Sequence, residues 1–196
     1  MWDGFCWPSR RDQLFSGDAS DWHQIACLDT FDHDPVALAF SYAEACVYLC
    51  KEAPKTGNQD FFVYPAVFLG RHALELMLKS LLLALGSLHQ EDPPKDAYTS
   101  HKLMDLWNDV KPQLNALGIT DDSETETHFE RSLSDLHKID PRSFTFRYRT
   151  DNKGRLSLPS SLDRIALDKF SLVLCGLMSY LNAAYDAVDQ FRSTGS

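Results

Sequence analysis

Phe61-Phe-Val-Tyr-Pro65-Ala-Val-Phe-Leu-Gly70-Arg-His-Ala-Leu-Glu75-Leu-Met-Leu-Lys-Ser80-Leu-Leu-Leu-Ala-Leu85-Gly86 decides the fold of this chain. Val67, Phe68, Leu74, Met77, Leu78, Leu81, Leu82 and Leu85 recur at helical spacing and make a wide apolar face. Such a face belongs to a helix at the centre of a bundle. Arg71, Glu75 and Lys79 follow at i, i+4 and i+8, one polar stripe able to form two ion pairs. The stripe breaks the apolar run short of the ~18 residues a membrane span needs, so no membrane helix is expected. Pro65 predicts a helix start or a kink, and Gly86 predicts the end.

Working outward, Asp34-Pro35 supplies an N-cap and a first-turn proline for a helix to about Lys51, rich in Ala37, Ala39, Ser41, Ala43 and Ala45. After the polar loop 87–99, a third helix starts at Thr99 or Ser100. It carries Leu103, Leu106, Trp107, Val110, Leu114 and Leu117 on one face, with Pro112 as a kink and Gly118 as a cap. The acidic run Asp121-Asp122-Ser123-Glu124 suits the positive end of a fourth helix. The period then changes to two in Phe144-Thr145-Phe146-Arg147-Tyr148-Arg149. With the turn Asp151-Asn-Lys-Gly154 and the alternating Leu156 and Leu158, this reads as a small β-hairpin. A last helix spans about Leu162 to Phe191. The expectation is an all-α, up-and-down bundle of about five helices, with a small β-hairpin before the last helix. Residues 1–33 read as an aromatic arm (Trp2, Phe5, Trp7, Phe15, Trp22), and residues 34–192 as a single helical domain.

The 196 residues are 44% apolar and 24% charged, the proportions of a globular chain. Acidic residues number 28 and basic residues 19, for a net charge of −9, which disfavours a whole-surface coat for nucleic acid. The N-terminus lacks a basic start followed by an apolar stretch, so no signal peptide is expected. Cys6, Cys27, Cys46, Cys50 and Cys175 are odd in number, and those in helical patterns read as buried thiols of a reducing cytoplasm.

No Walker A loop, glycine fingerprint, HExxH, paired CxxC or GxSxG occurs. Nucleotide hydrolysis, dinucleotide redox and zinc-finger roles are disfavoured, and no cofactor is expected. His23, Cys27, Asp29, Asp32, His33 and Asp34 cluster near the N-terminus, but their spacing matches no standard metal site. Between Lys138 and Arg164 lie seven basic and three acidic residues, an island of +4 in a chain whose remainder carries −13. Interleaved with Phe144, Phe146 and Tyr148, its arginines suit a phosphate backbone and a stacked base. The competing reading is a solvated face whose arginines pair with acidic helices.

Three segments carry a resemblance. Tyr64 to Leu82 resembles the central helix of bacterial HEPN-type bundle proteins. Ser100-His101-Lys102-Leu103 resembles the His-x-Leu opening of a following helix in such proteins, and Phe146-Arg147-Tyr148-x-x-Asp151 resembles a segment of related bacterial proteins. The resemblance spans about residues 35–190. It implies an all-helical domain that commonly dimerises, and a metal-independent endoribonuclease of RNA processing, toxin–antitoxin or antiviral defence, with an antitoxin or defence component as partner. The family motif, Arg followed after four to six residues by His, falls here on Arg131 and His137. The usual tyrosine after the His is replaced by Lys138-Ile139-Asp140.

On that reading His137 takes a proton from a ribose 2′-OH and Arg131 stabilises the developing phosphate charge. Arg147, Arg149, Tyr148, Arg71, His72 and His101 are the substrate-binding candidates. Six residues on an unbroken helix place Arg131 and His137 about 120° apart, so they converge only if the helix ends near Leu136 or across a homodimer. The alternatives are structural: Arg131 with Asp135, His137 at a helix C-terminus, and Arg71 paired with Glu75 or Asp151. The runner-up function is a non-catalytic bundle that binds a partner protein or a small ligand.

Overall fold

In a computed structural model the described residues are Phe15, 22–26, 35–119 and 123–194. The chain divides into two units, residues 1–33 and 34–196. In the first unit a 3-10 turn covers Trp22–Gln24, and His23 is exposed. Cys27, Asp29, Asp32, His33 and Asp34, the other residues of the N-terminal His/Cys/Asp cluster, and most of the aromatic arm lie outside the described residues.

The second unit is all-α. Its helices are α1 (Pro35–Glu52), α2 (Gln59–His89), the single turn α3 (Asp96–Thr99), α4 (Leu103–Ala116), α5 (Ser123–Ile139) and α6 (Leu167–Thr194). α2 is the hub, packing against α1, α3, α4 and α6, while α5 closes the bundle against α4 and α6. The apolar face read from the sequence is the core: Leu74, Met77, Leu78, Leu81, Leu82 and Leu85 have no solvent exposure. A second knot forms where the ring of Trp107 on α4 meets Phe129 on α5 at 4.7 Å, with Tyr180 on α6 stacked on Phe129 at 4.3 Å. At Gly70 α2 lies close against α1 and α6: a Cβ there would lie 2.9 Å from Leu174 and 3.1 Å from the Cys46 sulfur.

Several expectations are corrected. α2 starts at Gln59 and runs through Pro65. It passes Gly86 and ends at His89, capped by Gln90 in the left-handed region. Gly86 serves close approach instead, since a Cβ would meet the Glu91 carbonyl at 3.0 Å. The third helix begins at Leu103, separated from the turn at Asp96–Thr99. By length and composition alone α2 and α6 pass for membrane spans, as the core helix of a bundle also does, and half of the most apolar window in α2 is buried in the bundle. Cys46 and Cys50 are buried as expected, but Cys175 is exposed on α6.

The β-hairpin is not formed, and no strand occurs among the described residues. The physical reason lies at Asp140. Its Oδ1 accepts the backbone N–H groups of Phe144 and Thr145 at 2.7 and 3.0 Å. The N–H groups of Arg147 and Tyr148 then turn back to the Phe144 carbonyl. These bonds hold 144–148 as a turn, so the alternating pattern never extends. Only Thr150 and Leu156 form an isolated antiparallel bridge, across the expected turn with Gly154 at φ 74°. The last helix starts at Leu167 instead of Leu162, which leaves residues 159–166 as an irregular segment.

Candidate functional site

Tyr64, Phe68 and His72 fall at i, i+4 and i+8 on α2 and so share one face. The His72 ring lies parallel to Phe68, with centroids 5.8 Å apart, and meets Tyr42 of α1 edge-on at 4.6 Å. Burial pushes the His72 pKa below its ordinary value, with Glu75 opposing, so the ring is neutral at pH 7. The turn after α5 lays its own residues against this stripe. The Arg147 guanidinium sits 5.5 Å from the Phe68 centroid and 5.4 Å from that of Tyr148. Phe144 stacks on Tyr148 at 4.6 Å.

Beside this stack is a cavity of about 660 Å³ walled by Tyr64, Phe146, Arg147, Tyr148, Arg149 and Leu156. Arg147, Tyr148 and Arg149 are exposed. Among the described residues neither arginine has an ion-pair partner, although acids outnumber bases; the neighbouring Arg155 and Arg164 pair with Asp151 and Asp163. An exposed guanidinium beside π-faces, with a second on the same cavity wall and neither held by a carboxylate, is suited to an external anion carrying a planar group.

Beneath the stripe lies a buried ionic network. Arg71 donates from Nη1 to Glu75 Oε2 at 2.9 Å, from Nε to the Asp140 carbonyl at 3.0 Å, and from Nη2 to the His101 carbonyl. The Asp140 carboxylate is 3.5 Å from Arg71 Nε. Glu75 Oε1 also receives Lys79 Nζ at 2.9 Å and lies 2.8 Å from His101 Nδ1. Burial pushes the Glu75 carboxyl up, but the hydrogen bonds from Lys79, His101 and Arg71 outweigh it and leave it below its ordinary value. Arg71 thus ties α2 to the end of α5 and to the loop before α4. The expected alternative partner, Asp151, instead accepts from the Lys153 and Arg155 backbones. Fully buried, Arg71 is a positioning residue and cannot touch a substrate.

The structure therefore gathers five of the eight candidates around α2: Arg71, His72, His101, Arg147 and Tyr148. Arg149 lies beside them on the cavity wall. The remaining pair is not brought together within one chain. α5 is unbroken from Ser123 to Ile139, so Arg131 points to solvent while His137 turns inward. His137 is half-buried, and its Nδ1 has no hydrogen-bond partner among the described residues. Burial pushes its pKa down, with Asp105 opposing.

Tyr64, Phe68, Glu75 and Asp140 were not singled out as site residues in the sequence. Asp140 did carry a signal: an acid at the C-terminal end of a helix opposes the dipole and needs a dedicated partner. No family model matches the chain, and neither the curated proteins nor the solved structures contain a match.

Proposed function

We propose that the protein binds single-stranded RNA through the face made by Tyr64, Phe68 and His72 of α2 and by Arg147, Tyr148 and Arg149 of the following turn. One observation carries this reading: in a chain of net charge −9, exposed Arg147 lies against the rings of Phe68 and Tyr148 and exposed Arg149 lines the adjoining cavity, neither with a carboxylate partner among the described residues. The arginines hold phosphates, and the exposed ring of Tyr148 offers a π-face to a base. Arg71 and Asp140 act indirectly, by fixing the turn that presents Arg147.

The HEPN resemblance adds metal-independent endoribonuclease activity in RNA processing or defence as the enzymatic form of this proposal. For Arg131 and His137 it requires a homodimer in which Arg131 of one chain meets His137 of the other. The stacked arginine face supports binding more directly than cleavage.

The test is fluorescence anisotropy with a labelled 12-nucleotide RNA at two salt concentrations. Wild type should bind more weakly at higher salt, and Arg147→Ala with Arg149→Ala should lose most of the affinity, while Arg131→Ala should not. Salt-independent binding, or a double variant that binds like wild type, removes the reading. Cleavage in EDTA, compared with His137→Ala, tests the enzymatic form separately. Equal cleavage by both, or none by wild type, removes it.

A further inference from the structure

A second cavity opens between α5, α6 and the irregular segment 162–166, with α2 as its floor, and shares only Phe146 with the wall of the cavity beside Arg147. Its volume is about 400 Å³. The walls are apolar, with Leu136, Ile139, Phe170 and Val173 prominent, and the floor reaches Leu74 and Leu174 of the core. It is an open apolar groove whose floor is buried in the core and whose rim, at Val173, is exposed. Arg164 and Lys169, both exposed, stand at its mouth.

The charges at the mouth are unbalanced. The carboxylate of Asp135, also on the wall, is taken by Lys138 at 3.1 Å. Arg164 has only its neighbour Asp163, at 3.8 Å and exposed. Lys169 has no carboxylate partner among the described residues. An apolar groove of this length with Arg164 and Lys169 at one edge complements one chemistry: an alkyl chain ending in an anion.

We propose that this cavity binds a free single-chain alkyl carboxylate of medium length, its chain between α5 and α6 and its carboxylate at Lys169 and Arg164. Burial of the chain supplies affinity, and the cations set its orientation.

Isothermal titration calorimetry with monomeric octanoate, decanoate and dodecanoate tests this. Affinity should rise about fourfold per added methylene until the chain fills the groove. Decanoate should bind more tightly than decanol, and Lys169→Glu with Arg164→Glu should erase that preference while decanol binding persists. Val173→Trp, at a partly exposed wall position, should abolish the heat while helical circular dichroism and RNA binding stay as in wild type. Absence of heat with all three acids, affinity independent of chain length, or unchanged binding by Val173→Trp would each overturn the proposal. So would light scattering that shows two chains per particle with decanoate unable to bind, because a second copy would then fill the groove.

Discussion

Arg71 and Glu75, one helical turn apart on α2, form an ion pair at 2.9 Å with neither side chain open to solvent. The pair sits in the most apolar helix of the molecule, where an isolated charge is not tolerated. It survives because every strong partner is supplied: Asp140 and the His101 carbonyl for Arg71, Lys79 and His101 for Glu75. The network therefore fixes where α5 ends and where α4 begins relative to α2.

Removing one member should be costly. Arg71→Ala leaves Glu75 and Asp140 with a buried deficit of positive charge, and a loss of about 3–5 kcal/mol is expected. The exposed pair Lys55–Glu52 is the control, since Lys55→Ala should change stability by less than about 1 kcal/mol. Urea denaturation followed by circular dichroism measures both. Similar midpoints for the two variants would show that the network contributes little.

Asp140 links this network to the proposed RNA face. Asp140→Asn keeps an oxygen able to accept the Phe144 and Thr145 N–H groups, whereas Asp140→Ala does not. The Ala variant should therefore lose more RNA affinity than the Asn variant, although neither residue is exposed. Equal RNA binding by both would separate the turn from the site.

Phosphate and base contacts should divide experimentally. Arg149→Ala should lower the slope of log affinity against log salt by about 0.7, the release of one counterion from a single strand. Tyr148→Ala should cost about 1–3 kcal/mol of binding and leave that slope unchanged. Identical slopes for wild type and Arg149→Ala would mean that this arginine meets no phosphate.

Acid should destabilise the fold in a defined window. His72 and His137 are both pushed below the ordinary value of 6.5 by burial. The unfolded chain thus binds protons first, so their contribution is complete above about pH 6.5 and is lost as pH falls toward their depressed values. Glu75, held below its ordinary 4.5, adds a further loss beneath that pH. Urea midpoints at pH 7.5 and 5.5 should differ for wild type and differ less for His72→Phe with His137→Phe. An unchanged difference would place the acid sensitivity elsewhere.

Sequence reading reached some parts of the site and not others, for reasons visible at particular residues. The pair Arg71–Glu75 followed from its i, i+4 spacing, because a single helix sets that distance. The exposure of Arg147 and Arg149 followed from their alternation with aromatics, even though the hairpin behind that reading is a turn. Asp140 as the anchor of the turn was not legible, since its burial against Arg71, 69 residues earlier in the chain, is set by the packing of α2 on the end of α5. The expected meeting of Arg131 and His137 depended on where α5 stops, and helix ends are set by tertiary contacts as much as by local signals.

Local periodicity alone determined that the chain is helical, that α2 lies at its centre and that Leu74 through Leu85 form the core. Those properties depend on apolar spacing, which the chain carries in one dimension. Tertiary structure alone decided that the polar stripe of α2 is buried, that 144–148 is a turn, and that Arg147 reaches Phe68. Each of these requires groups far apart in sequence to satisfy one another's charges and hydrogen bonds, and no local pattern records which distant partner will arrive.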